Sequence, residues 1–276
     1  MAKYGIREIC DVVFKAKKKV TIGNTDFEKG APVIYFDTLK TSSLEGAATT
    51  VYATGGKGNP RLVAWDGERT LTFNMEDALI SPMGLAILTG AGLVNPTTNA
   101  PVITHKTERV KVETDGEVKL AKTPSANKKA QIFYGLVDEN GDLPVSLTKY
   151  PVGEDETVTN ILEITTATKD AVVFVDYYVD ETGATNGVTQ VDIEPGKFSG
   201  SFYIEGSTLW RDTDGADHPV EIVIPNGKVQ SNFTFTMANS GDPSTFNFVV
   251  DALADYTEFD QTKKVLAAMQ IMEETI

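Results

Sequence analysis

Residues 51–75 read VYATGGKGNPRLVAWDGERTLTFNM. At the end of this stretch Leu71, Phe73 and Met75 alternate with Thr72 and Asn74, so one face of an extended chain is apolar and the other polar. That period of two is the signature of a half-buried β-strand. Upstream, glycines crowd between two strand-like runs. Glycine reaches backbone conformations closed to other residues, so Thr54, Gly55, Gly56, Lys57, Gly58, Asn59 and Pro60 read as the tip of one long hairpin over 44–75. The tip is expected to meet a neighbouring subunit. Asp66-Gly67 carries a second turn signal, between PRLVAW and RTLTFNM.

The same punctuation continues outward. Phe233, Phe235 and Met237 alternate in NFTFTM, and Phe246, Phe248 and Val250 in TFNFVV. The turn-rich ANSGDPS lies between them, so 232–251 reads as a hairpin. Asp115-Gly116, Asn140-Gly141 and Asn226-Gly227 mark further turns. Phe73, Phe235 and Phe248 are expected to share one core. The fold class is mainly β: a β-sandwich or partly rolled barrel with one short packed helix at about 82–90. That helix has Ser81 as N-cap, Pro82 at its first position and Gly90 and Gly92 at its end. The segments Ile6–Phe14 and VLAAMQIM fit helix or strand equally. A Pro/Asn/Thr-rich connector at 94–101 and the polar stretch 151–160 suggest a single domain over 1–276 with an inserted elaboration at about 100–165. Two β domains split near residue 100 is the competing division.

The chain has 276 residues and a net charge of −14, from 39 acidic and 25 basic side chains. Such a surface disfavours gripping nucleic acid through its phosphates, and equally serves solubility. One cysteine, Cys10, excludes an internal disulfide framework. No apolar run reaches the length of a membrane span, so a soluble protein with no membrane partner is expected.

Residues that carry chemistry are few. His105 and His218 stand apart from each other and from Cys10, without a nucleophile elbow. Asp212, Asp214 and Asp217 alternate around Gly215 as calcium ligands do, but without the closing glutamate of an EF-hand loop; a solvated turn accounts for them better. The ATGGKGNPR loop lacks the Lys-Ser/Thr pair and following helix of a phosphate-binding loop. Glu76-Asp77 and Asp138-Glu139 have no neighbours that would raise a carboxyl pKa. No catalytic residue, metal or cofactor is expected, and the chain reads as a non-enzyme.

The stretch 51–92, with its glycine-rich hairpin, Trp65-Asp66-Gly67, the TLTF strand and the EDAL helix start, resembles the first half of bacteriophage tail tube (major tail) proteins. Residues 241–272, GDPSTFNFVVDALADYTEFDQTKKVLAAMQIM, resemble their closing strands. The region of about 100–230 has no such likeness. The resemblance implies a structural virion protein assembled in the host cytoplasm. It would form hexameric rings that stack into a hollow tube, the conduit for DNA ejection, with DNA passing through without specific binding. Its partners would be itself and the tape-measure protein, sheath or tail terminator. The competing readings are another virion component (capsid decoration or head–tail completion protein), a carbohydrate-binding β-sandwich and a calcium-binding adhesion module.

Overall fold

The computed structural model describes residues 3–22, 25–153, 157–183, 187–241 and 244–273. The chain forms two compact units. One joins the first 94 residues to those from Val191 onward, and the other is Asn95–Gln190.

The first part of the first unit contributes β1 (Tyr4–Ile6), β2 (Asp11–Ala16), β3 (Val20–Ile22), β4 (Thr25–Phe27), β5 (Pro32–Phe36), β6 (Leu39–Thr54), β7 (Arg61–Asp77), helix α1 (Pro82–Thr89) and β8 (Gly92–Val94). The middle unit follows with β9 (Val102–Lys111), β10 (Glu117–Lys119), a 3-10 segment (Ala126–Gln131), β11 (Phe133–Leu136), β12 (Thr148–Lys149), β13 (Ile161–Glu163) and β14 (Val172–Glu181). After β15 (Gln190–Asp192), the first unit is completed by β16 (Ser201–Asp212), β17 (Asp217–Val229), β18 (Phe246–Ala252) and β19 (Ala268–Ile271). The fold is mainly β, as the alternation implies. The ambiguous first segment resolves into β1 and β2, and VLAAMQIM into β19.

In the first unit the strand order is β5-β2-β16-β17-β18-β7-β6, with β1 added along β16 and β19 along β17. All these pairings are antiparallel. The sheet curls on itself without a hydrogen-bonded ladder closing it among the described residues. Near the seam the Cys10 amide donates to Ser42 Oγ at 3.1 Å, which brings the start of β2 against β6. Inside the curl lie Phe14, Phe36, Phe73, Met75, Phe202, Ile204, Ile224, Phe248 and Val250. Helix α1 adds Ile87 and Leu88 to this core. Its ends follow the sequence signals: Ser81 Oγ accepts from the Gly84 amide at 3.0 Å, and Gly90 turns left-handed at φ 71°.

The middle unit has its own core, built on Val118, Leu120, Ile132, Leu162, Val173, Val175 and Tyr177. Its sheet order is β12-β11-β14-β9, with β10 pairing β13 separately. Asp115-Gly116 and Asn140-Gly141 are turns, with Gly116 at φ 79° and Gly141 at φ 86°. The strands beside Asp115-Gly116 do not form a ladder with each other: β9 pairs with β14 and β10 with β13. Part of the 151–160 stretch, residues 154–156, lies outside the described residues.

Three sequence expectations are corrected. Asp66-Gly67 is not a turn, because both residues lie within β7. Between the pairs Ala48–Arg69 and Thr50–Asp66, β7 carries one residue more than β6, so the dipeptide belongs to a β-bulge. Asn226-Gly227 likewise sits inside β17. The register there shifts between Phe202–Gly227 and Ile204–Ile224, and the same bulge accommodates Pro225 in the strand. The third correction concerns 232–251. Only the TFNFVV side becomes a strand, β18, which pairs with β17 and β7. The described residues 230–241 form no strand, and Asp242 and Pro243 of the expected turn lie outside the described residues.

Gly227 also explains a packing requirement. A Cβ there would stand 2.5 Å from Ile204 Cδ1 and 2.7 Å from Val250 Cγ1. Both neighbours are buried, so neither can yield to solvent. Gly227→Ala is expected to cost about 1–3 kcal/mol in urea unfolding, the usual range for an overpacked core. An unchanged midpoint would show that β16 and β18 separate freely at this point.

Candidate assembly surface

The β6–β7 hairpin has two physically different halves. Near its base, Thr72–Asp77 of β7 pairs with Phe246–Asp251 of β18, and Phe73 and Met75 point into the core. From Leu71 outward β7 pairs with β6 alone, and among the described residues no strand pairs with the other edge of β6. Residues 45–52 and 61–70 are exposed on both faces of this ribbon. A two-stranded ribbon without a third strand or a packing layer is only marginally stable in water.

The distal ribbon is not polar. Val51 lies opposite Trp65 and Ala53 opposite Val63, so one face presents four apolar side chains. Val51 is 63% exposed, Val63 49% and Trp65 53%. Leu62, also exposed, fills a register shift near the tip. The other face has Tyr52 opposite Ala64, with the Arg61 guanidinium 4.0 Å from the centre of the Tyr52 ring.

The tip Thr54–Pro60 is shaped rather than formless. The Gly55 amide donates to the Pro60 carbonyl at 3.2 Å, and the Asn59 amide to the Gly56 carbonyl at 3.1 Å. Gly56 and Gly58 hold φ of 83° and 85°, and Asn59 joins them at 49°. Lys57 stands exposed at the apex.

The other expected core residues fall on different sites. Phe73 and Phe248 are 2% and 1% exposed and share the curled core. Phe235 does not join them. It is half-buried outside that cluster, its ring 5.0 Å from Phe233 and 5.3 Å from Phe246. The cause is the missing strand at 230–241, which leaves Phe235 on irregular backbone.

Most of the titratable side chains that the sequence brings forward are engaged in local structure. Asp212 Oδ1 accepts the amides of Asp214 and Ala216, both at 2.9 Å, and its Oδ2 lies 2.9 Å from His218 Nε2. Asp217 is gripped by Arg211 at 2.7 and 2.6 Å. The Asp212–Asp217 loop is therefore a hydrogen-bonded turn, and no cluster of three or more His, Cys, Asp or Glu side chains suited to a metal occurs among the described residues. Asp77 Oδ1 receives the Thr38 hydroxyl and the Leu79 amide, which places it at the exit from β7. Asp138 Oδ1 receives the amides of Asn140 and Asp142 in its turn. His105 lies exposed, 3.0 Å from Asp176. The Cys10 thiol is buried, and burial pushes it up to about 11, so it stays protonated and unreactive at neutral pH. In the Lys15–Lys19 cluster, Lys15 meets Glu205, Lys17 meets Asp255, and Lys19 meets Asp26 and Glu28.

No helix among the described residues is long and apolar enough to cross a membrane. A search of curated proteins finds no match. A family model, by contrast, matches residues 5–267, nearly the whole chain. The open-edged hairpin and the curled sheet that carries it thus come with a family assignment: the chain belongs to the YomU/Tube protein family.

Proposed function

We propose that this chain is a structural virion protein that assembles with itself, through the β6–β7 hairpin, into rings that stack as the hollow tail tube of a bacteriophage. The observation that carries the reading is the distal ribbon. It has open edges, is exposed on both faces and presents Val51, Val63 and Trp65 to solvent. Covering it with other copies satisfies its backbone and buries its apolar face. Membership of a tube family supports the same conclusion. A heterologous contact that closes gives a ring, and stacked rings give a tube from one kind of subunit. In this reading the rings are hexameric. The tube is built in the host cytoplasm and meets tape-measure, sheath or terminator proteins at its surfaces and ends. The first unit is the tube domain, and Asn95–Gln190 is an elaboration inserted into it. The protein is not an enzyme and uses no cofactor. Negative-stain microscopy of the purified chain tests the proposal: tubes or stacked rings support it, while trimers or a persistent monomer under all assembly conditions refute it.

The charge balance extends the reading. Duplex DNA carries about one charge per 1.7 Å, so a few unpaired lysines repeated in each ring would hold it fast. The lysines 15, 17 and 19 are already matched to carboxylates of their own chain. The lumen is expected to be net negative, with most lysines on the outer surface or at subunit contacts. A structure of the assembled ring checks this, and an inner wall of net positive charge overturns it.

A further inference from the structure

The first and last strands of the described chain meet at one histidine. β1 pairs with the end of β16 through Tyr4–Asp212, Gly5–Arg211 and Ile6–Trp210. β19 lies along the other side of the same β16–β17 hairpin, pairing Ala268–Ile271 with Val220–Val223. Both strands are short and largely exposed. His218, opposite Trp210 on β17, is 9% exposed. Its Nε2 lies 2.9 Å from Asp212 Oδ2, and its Nδ1 lies 3.3 Å from the Met272 carbonyl oxygen just beyond β19. The ring of Tyr4, from β1, stands edge-on at 5.4 Å.

Both ring nitrogens therefore face acceptors. A neutral imidazole has one N–H and can satisfy only one of them, whereas the imidazolium satisfies both. We propose that His218 is a protonation-controlled clasp that holds the end of β19 on the β16–β17 hairpin. The charged groups around it favour the closed form. Asp212 comes from β16, and Asp217, neutralised in part by Arg211, comes from the start of β17. Tyr4 is the titratable group from β1, and exposed Glu273 follows Met272. The hydrogen bond to Asp212 is the largest influence holding the His218 pKa above its ordinary value, and the Asp212 carboxyl is correspondingly held below its own.

The sign follows from linkage. A histidine whose folded pKa is raised stabilises the closed form fully below its ordinary value of about 6.5, and that stabilisation is lost as pH rises through the folded value. When the ring becomes neutral, the remaining proton stays on the nitrogen facing the Asp212 carboxylate, because that bond is charge-assisted. The Met272 bond is the one given up, leaving the Met272 amide on the Pro219 carbonyl as the local tie. Release of β19 uncovers the β17 edge along Val220–Val223, a row of unpaired backbone groups of the kind that pairs with another strand. The clasp thus makes one sheet edge conditional on pH, whether or not the chain forms tubes.

Hydrogen exchange of the full chain, corrected for intrinsic rates, tests this between about pH 5 and 8. Protection of amides in 220–223 and 268–272 is expected to fall with rising pH, by up to about tenfold for each unit separating the closed and open pKa values. In His218→Gln the protection is expected to be low and free of this slope. A flat profile in the unsubstituted chain, or the same slope in the variant, overturns the clasp. Should the variant not fold, nitrogen NMR of the imidazole in a His105→Gln background reads the same point. His218 still doubly protonated at a pH where an ordinary imidazole, of pKa about 6.5, is already mostly neutral supports the proposal, and a ring that loses its proton at or below that value refutes it.

Discussion

Tube formation is expected to disappear when Val63 and Trp65 are replaced together by aspartate, while the monomer keeps its fold. Both side chains are about half exposed on the distal ribbon, so replacing them removes almost nothing from the monomer's own core. Exposed positions of this kind usually change stability by within about 0.5 kcal/mol. In an assembly the balance reverses. Burying one large apolar side chain contributes about 1.5–3 kcal/mol, and a tryptophan at the centre of an interface often contributes more than its area suggests. Two buried carboxylates in place of those contacts carry a desolvation cost of several kcal/mol each. The effect recurs at every copy. Gly55→Val with Gly56→Val attacks the same surface by another route. Gly56 holds φ 83°, a conformation that valine rarely adopts, so the tip must rearrange; a Cβ on Gly55 alone would only touch the exposed Leu62 side chain. Sedimentation and microscopy read assembly, and circular dichroism with urea unfolding reads the monomer. In a Trp210→Phe background the fluorescence of Trp65 should shift to the blue as subunits assemble. Tubes of normal length from either double variant would show that the distal ribbon is not an assembly surface.

The alternation of apolar and polar residues located most strands because one buried face leaves a period-two trace. Met75, Phe73 and Leu71 carry that trace, and β7 runs where they point. The cap and stop of α1 were also legible, since Ser81, Pro82 and Gly90 act through local backbone chemistry that needs no tertiary context. Asp66-Gly67 and Asn226-Gly227 misled for a related reason. A glycine after an acidic or amide residue serves a tight turn, but glycine also serves a bulge or the close approach of another strand. Only the partner strand distinguishes these uses. Thr49 crowds the missing Cβ of Gly67, and Ile204 with Val250 crowd that of Gly227.

The proposed assembly surface is half legible in the sequence. The glycine-dense tip stands out in the sequence, whereas the side chains that make the ribbon unusual do not. Their trace was present: VYA and LVAW are apolar at consecutive positions, which a strand with one wet face does not need. Whether such a run lies inside a sheet or stands alone depends on its neighbours, and here β18 stops pairing at Thr72.

Phe248→Ala is expected to cost about 3–5 kcal/mol, the range for a buried aromatic ring whose site cannot collapse. Phe248 is 1% exposed and lies edge-on to Phe36 at 4.9 Å. Phe36 in turn meets Phe14 at 5.1 Å, and Phe14 meets Phe202 at 5.5 Å. These rings come from β18, β5, β2 and β16. β18 and β5 are not neighbours in the sheet, so their contact spans the curl and helps hold it where no ladder does. Removing the Phe248 ring therefore leaves a void and takes one side from that aromatic chain. Phe73→Ala falls in the same class, because its side chain is equally enclosed on β7. Phe235→Ala is the internal control. Its ring is half-buried against Phe233 and Phe246 on irregular backbone, so solvent and neighbours can fill the space, and the expected cost is about 1 kcal/mol. Urea unfolding of the three variants separates the cases. Equal losses for Phe235 and Phe248 would mean that 232–237 is built into the core after all, and that the curl is closed by more than this row of rings.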